Sequence, residues 1–204
     1  MTASWSFHYS HKFMHLKSVA LTTEEIRRIV RQRRRDLVIS ERLHAEQSIY
    51  RQIYQHPKLL SAKKIAIFLS FDGEVNTQPI IEYLWQQNKS VYLPIIDLTN
   101  PHHLAFLPYH RHSQLTTNKF GIAEPIYDVD KILPYQSLDI VFTPLVAFDH
   151  RNYRIGMGGG FYDRLLQNYQ HDNIYPIGLA FKCQQIKYVA NQSWDIQLPE
   201  IIIG

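Results

Sequence analysis

Residues 154–166 read RIGMGGGFYDRLL: four glycines within five positions, flanked by Arg154 and Arg164, with Asp163 three residues past the last glycine. Glycine lets a backbone take left-handed dihedrals and approach a ligand closely, so the N–H groups of Ile155, Gly156, Met157, Gly158, Gly159 and Gly160 can converge on phosphate oxygens. A flexible strand-to-helix turn is the plainer reading. Two common phosphate motifs are excluded, since no Gly-Lys-Ser/Thr is present and Phe161 stands where a dinucleotide fingerprint needs its third glycine. A helix terminus contributes ~0.3–1 kcal/mol, up to ~2 when partly buried, whereas micromolar affinity needs ~8 kcal/mol. Charges must therefore complete such a site. Arg154 and Arg164 could fork onto phosphate oxygens. Asp163 suits either a helix cap or a Mg²⁺ ion that also takes phosphate and water.

The elements around this loop follow from hydrophobic periodicity. Ile26, Ile29, Val30 and Leu37 fall near one face of a helix expected from Thr23 to about Val38, with arginines at most other positions. A second helix is expected from an N-cap at Ser40, carrying Leu43, Ile49, Tyr50, Ile53 and Tyr54 as its stripe and ending at Pro57. The run 64–71 reads as a strand, DGEVNT (72–77) as a turn, 79–89 as a helix opened by Pro79, and 90–96 as a strand. Strand, helix, strand at this spacing is a βαβ unit and favours a parallel sheet. Further strands are expected at 103–109, 138–148 and 175–181, with a helix from the glycines to about Tyr169. The sum is one three-layer α/β/α domain over residues 23–204 with a mostly parallel, Rossmann-like sheet, preceded by an extension at 1–22. The glycine stretch follows a strand and opens a helix, where ligands of open α/β sheets bind.

Composition narrows the function classes. With 204 residues and 45% hydrophobic content the chain can bury a sizeable core. Six of its 22 basic residues are arginines between Arg27 and Arg35, so the net charge of +4 reflects one cluster and does not itself argue for nucleic acid. Cys183, the single cysteine, rules out an internal disulfide framework and fits a reducing compartment. No apolar run reaches the ~18–20 residues of a membrane span. A cytoplasmic monomer acting on small molecules, without nucleic-acid or membrane partners, is expected. His102, His103, His110 and His112 lie in a polar stretch without matched carboxylates and are not read as a metal site.

Four segments together resemble the 5-formyltetrahydrofolate cyclo-ligase family: the Arg-rich first helix, FLSFDGEVNT, TPLVAFD with the glycine stretch, and GLAFKCQQI followed by WDIQLPEIII. The resemblance implies ATP- and Mg²⁺-dependent conversion of 5-formyltetrahydrofolate to 5,10-methenyltetrahydrofolate. It implies that ATP phosphorylates the formyl oxygen, N10 attacks the activated carbon, and phosphate departs. It places ATP against Arg27 and the loop from Arg154 to Tyr162, with Arg154 and Asp163 catalytic and Mg²⁺ on Asp163 and Asp195. It places the folate against Leu69, Glu74 and residues Gly158, Gly159, Gly160, Phe161 and Tyr162. A carboxylate at Glu74 can accept two hydrogen bonds from the pterin's amino and ring N–H groups, although in isolation Glu74 reads as a solvated turn acid. The family's basic N-terminal motif has a lysine where this chain has Thr23, for which Arg28 or Arg31 is expected to substitute. An RNA-binding module led by the arginine helix is the competing reading from another class.

Overall fold

The computed structural model describes residues 21–118 and 121–204, so most of the proposed extension lies outside the described residues. Helix α1 (Thr23–Arg35) starts on a capping box: Thr22 Oγ1 accepts the Glu25 N–H at 3.2 Å, and Glu25 Oε2 accepts the Thr22 N–H at 2.8 Å. Acids in its first turn and arginines in its last complement the helix dipole. The helix stops three residues before the expected Val38, because the chain turns at Asp36 and folds Leu37 against the core. Helix α2 (Ile39–Tyr54) begins earlier than expected, with Val38 rather than Ser40 at the cap, and its buried face is Glu46, Ile49 and Ile53. Leu43, expected in that stripe, is exposed.

A short helix α3 (Pro57–Ser61) leads into β1 (Lys64–Ala66), α4 (Gln78–Gln86) and β2 (Ser90–Ile96). Then come β3 (Leu104–Pro108), the hairpin β4 (Leu115–Thr117) and β5 (Ala123–Pro125), and β6 (Ile140–Thr143). The strand expected at 138–148 breaks at Pro144, which has no N–H for the ladder. Its remainder, β7 (Ala147–Phe148), pairs antiparallel with β8 (Arg154–Ile155) in a separate hairpin. Helix α5 is only Phe161–Leu165, shorter than expected, followed by β9 (Tyr175–Ala180) and β10 (Glu200–Ile203).

The main sheet runs β10-β9-β6-β1-β2-β3, parallel throughout except for the antiparallel β2–β3 pair. One face packs Ile65, Ile140, Phe142 and Ile177 against Ile49, Ile53, Ile80 and Leu84 of α2 and α4. The other packs Ala66 and Val141 against Leu165, Leu166, Ile174 and Leu198, so this layer is α5 and irregular chain rather than long helices. From β1 the chain proceeds outward to β2, whereas β6 lies on the opposite side of β1 and leads to β9 and β10. The carboxyl ends of β1 and β6 therefore flank the topological switch point, where open α/β sheets form their binding crevice.

Candidate active site

The chain leaving β1 carries Leu69 and then the turn 71–77, which α1 and α2 hold. Asp72, at φ 50°, accepts Arg31 Nε at 2.6 Å, Arg34 Nη2 at 3.1 Å and Arg35 Nη1 at 2.9 Å. From α2, Arg42 donates to Gly73 O at 2.9 Å, Tyr50 donates to Asn76 O at 2.8 Å, and Glu46 accepts the Asn76 N–H at 3.1 Å. Burial raises the Asp72 pKa, but the three arginines outweigh it and leave the carboxyl below its ordinary value. A depressed acid stabilises the fold above its unfolded pKa, and that contribution fades as pH falls through the folded value. Asp72→Asn is therefore expected to cost about 2 kcal/mol at pH 7, measured by urea unfolding, with the difference shrinking toward pH 3. Three of the six arginines of the cluster thus face inward onto one carboxylate, which argues against α1 as a phosphate-backbone rail.

Glu74, at the end of this turn, has a side chain 13% exposed. Its Oε2 accepts the Phe71 N–H at 3.1 Å and its Oε1 lies 3.8 Å from Arg34 Nη1. Burial pushes its pKa to about 7, against the lowering pull of Arg34 and the Phe71 N–H. It is not a solvated turn acid.

On the β6 side, the β7–β8 hairpin is built on Asp149, which is fully buried and accepts the N–H groups of Arg151 and Val189 at 2.9 and 3.0 Å. Arg151 returns two guanidinium bonds to Asp149 at 2.7 and 3.0 Å and lies over the rings of Tyr153 and Tyr188. The hairpin delivers Arg154 and the glycines. Gly158 at φ 106° and Gly160 at φ 64° take backbone conformations that L side chains rarely adopt, and Met157, Gly158 and Gly159 are exposed. A Cβ on Gly159 would stand 2.7 Å from the Phe161 ring. Arg27 of α1 reaches this loop, donating to Gly156 O at 2.8 Å. With α5 only five residues long, the charge at the loop comes from arginines more than from a helix dipole.

The arginines at the loop differ in their partners. Arg154 has a side chain 3% exposed and donates to Asp163 Oδ1 at 2.9 Å and to Ile196 O at 2.7 Å. Asp163 Oδ1 also accepts the Ile196 N–H at 3.2 Å, while the neighbouring Asp195 accepts the Gln192 N–H at 2.7 Å, and both carboxylates act electrostatically on the Arg154 guanidinium. Arg164 is exposed and donates to Gly159 O and His102 O, both at 2.7 Å. Arg31, offered as a substitute for the family lysine, is bound to Asp72, while Arg28 is exposed.

Tyr162 joins the two halves. Burial and the neighbouring Glu74 raise its phenol pKa, and Arg154 opposes them, so Tyr162 feels the charges of both the turn after β1 and the hairpin after β6. Glu74, Tyr162, Arg154, Asp163 and Asp195 are thus electrostatically linked, with Arg154 and Asp163 in direct contact, Arg27 bonded to Gly156 and Leu69 packed on the core. Sequence reasoning passed over Asp72, Asp149 and Arg34. A lone acid or a helix arginine gives no local signal of what folds onto it. Among the described residues no helix is long and apolar enough to cross a membrane, and no group of three or more His, Cys, Asp or Glu could hold a metal.

Comparison with known proteins bears on the fold and the family. The chain is 44% identical over 181 residues to the 5-formyltetrahydrofolate cyclo-ligase of Haemophilus influenzae, covering 89% of this chain and 97% of that one. It is 45% identical over 174 residues to the Escherichia coli K12 protein of the same name, covering 85% and 96%. Solved structures of 5,10-methenyltetrahydrofolate synthetases superpose on it. The Mycoplasma pneumoniae protein has TM-score 0.69 at 25% identity, covering 89% of this chain and 98% of that one. The Aquifex aeolicus protein has TM-score 0.75 at 26% identity, covering 89% of each. A family model matches residues 20–204, nearly all of the chain described above, and the protein is accordingly an enzyme that belongs to the 5-formyltetrahydrofolate cyclo-ligase family.

Proposed function

We propose that this enzyme converts 5-formyltetrahydrofolate to 5,10-methenyltetrahydrofolate with hydrolysis of ATP to ADP and phosphate, Mg²⁺ assisting. The observation that carries this reading is that helix α1 reaches both a buried carboxylate after β1 and an open glycine loop after β6, Arg34 lying 3.8 Å from Glu74 and Arg27 bonding Gly156 O at 2.8 Å, at the two strand ends that flank the switch point. The exposed N–H groups of the glycine loop, with Arg27 on one side, hold the phosphates. Ionised Glu74 accepts the pterin's amino and ring N–H donors, which turns the formyl group toward the loop. The formyl oxygen attacks the terminal phosphorus and ADP leaves. N10 then adds to the activated carbon, and phosphate departs with the former formyl oxygen. A formamide oxygen is a poor leaving group and a phosphate a good one, which is why the reaction needs ATP.

Arg154 pairs with Asp163 and Ile196 O, so its first duty is to hold that carboxylate and the 195–196 segment in place. Asp163 and Asp195 would hold a Mg²⁺ ion that draws its other ligands from phosphate and water, and do not fit an all-protein metal cage. Bound there, Mg²⁺ supplies charge neutralisation between phosphate oxygens. We read the enzyme as a cytoplasmic monomer that acts on these small molecules alone. Purified protein mixed with MgATP and 5-formyltetrahydrofolate is expected to give the methenyl chromophore with one ADP per product. Folded protein without turnover, or salt-sensitive RNA binding in its place, would sink this assignment.

A further inference from the structure

We propose that Arg34 is the positioning residue for the folate half of the site: its buried guanidinium holds Glu74 in place and in the ionised form that a pterin's paired N–H donors require. This rests on the placement of folate against Glu74 argued above. Arg34 is 1% exposed, donates Nη2 to Asp72 O at 2.8 Å and to Asp72 Oδ2 at 3.1 Å, and reaches Leu145 O beyond β6 with Nη1 at 3.5 Å. It thus spans the switch point from the β1 side to the β6 side. A guanidinium is a rigid fork, so pinning Nη2 on Asp72 directs Nη1 at Glu74 Oε1, 3.8 Å away. Its Nε–H is buried without a partner among the described residues. An orphan donor of this kind is costly, so the placement of Arg34 is set by what its Nη1 and Nη2 bind and not by full satisfaction of its own donors.

The groups acting on Glu74 are few. Arg34 and Arg31 act from α1, Asp72 from the same turn and Tyr162 from α5, while Arg42 of α2 binds the neighbouring Gly73 carbonyl. Arg34 is the strongest of the charges opposing burial, and Asp72 works against it. A protonated Glu74 would present an O–H to the pterin's N–H donors, donor against donor, so the fraction ionised sets how much enzyme can bind.

The test is the pH dependence of kcat/KM for the folate. Wild type is expected to show a midpoint at about 7. Arg34→Gln is expected to move that midpoint alkaline by about one unit, seen as a roughly five-fold loss at pH 7 that recovers toward pH 9. Arg34→Lys is expected to keep the midpoint near its wild-type position. Asp72→Asn, which removes the like charge working against Arg34, is expected to move it toward acid. If Arg34→Gln does not fold, Arg34→Lys decides the matter, since loss of the rigid fork is expected to raise KM for the folate at every pH with the midpoint kept, and an unchanged KM overturns the positioning role. A folded Arg34→Gln with an unmoved midpoint, or a loss equal at every pH, overturns the proposal, as does an unmoved or alkaline midpoint in Asp72→Asn. Glu74→Gln separates the two levels of inference. If it retains the wild-type midpoint, the titration is not that of Glu74 and the folate placement falls too.

Discussion

Asp163→Asn is expected to lower turnover by roughly 10³-fold while leaving the chain folded, because the change removes charge and keeps shape. Asp163 Oδ1 accepts Arg154 at 2.9 Å and the Ile196 N–H at 3.2 Å, and an amide oxygen can accept both. What disappears is the negative charge beside a guanidinium whose side chain is 3% exposed, leaving Asp195 as the remaining carboxylate acting on Arg154. A stability cost of about 1–3 kcal/mol follows from weakening that buried pair. The larger consequence concerns the metal, since a hard cation bound by one or two carboxylates loses much of its protein anchor with one of them. Titration with Mn²⁺ followed by electron paramagnetic resonance, beside steady-state turnover, checks both parts. Turnover above about a tenth of wild type, with unchanged Mn²⁺ affinity, would reduce Asp163 to a cap on the Arg154 guanidinium.

Glu74→Gln is expected to raise KM for the folate by roughly 10²-fold, from the loss of charge-assisted hydrogen bonds worth about 1.5–3 kcal/mol each. It should also make the apoprotein more stable at alkaline pH. The folded pKa of about 7 lies above the ordinary value of 4.5, so the unfolded chain gives up this proton at lower pH than the folded one. The contribution of Glu74 to stability is thus fully present below about pH 4.5 and lost as pH rises through about 7. The shift corresponds to about 3 kcal/mol, at one pKa unit per 1.36 kcal/mol. Urea unfolding at pH 5 and pH 8 is expected to show the variant nearly level with wild type at the lower pH and ahead of it at the higher. If Glu74 binds the folate as proposed, its burial cost is a trade of stability for function of the kind found at many sites. Equal stability of the two proteins at pH 8 would show that the arginines of α1 cancel the burial cost of Glu74.

Much of this was legible in the sequence, and the reasons differ by element. The strand at 90–96 stands where its apolar, β-branched run put it, and its positions alternate between buried and half-buried along that run. The glycine loop was legible for its chemistry, since few other arrangements concentrate glycine between a strand and an aspartate. Strand lengths were not. KIAIFLSF reads as one strand, yet only Lys64–Ala66 forms the β1 ladder, because the chain peels away beyond it to reach Asp72 and Glu74. LDIVFTPLVAF likewise splits at Pro144 to build the hairpin that carries Arg154. In both places local β-propensity yields to the demand that a loop be carried over the sheet's end. Least legible was the role of the arginine helix. Its periodicity shows which residues are apolar, whereas the partners of Arg27, Arg31 and Arg34 are set by loops far along the chain.

That distance has a consequence in time. Arg31 meets Asp72 across 41 positions of sequence, whereas Arg27 meets Gly156 O across 129. On a ribosome adding ~5–20 residues per second, the second half of α1 can dock on the turn after β1 several seconds before the first half has anything to bind. The order of synthesis thus allows a stage in which the helix is anchored at one end while its Arg27 end has no glycine loop to bind. The turn after β1 and the glycine loop are then tied to one helix in the order in which they are made, first through the carboxyl-terminal arginines of α1 and last through Arg27.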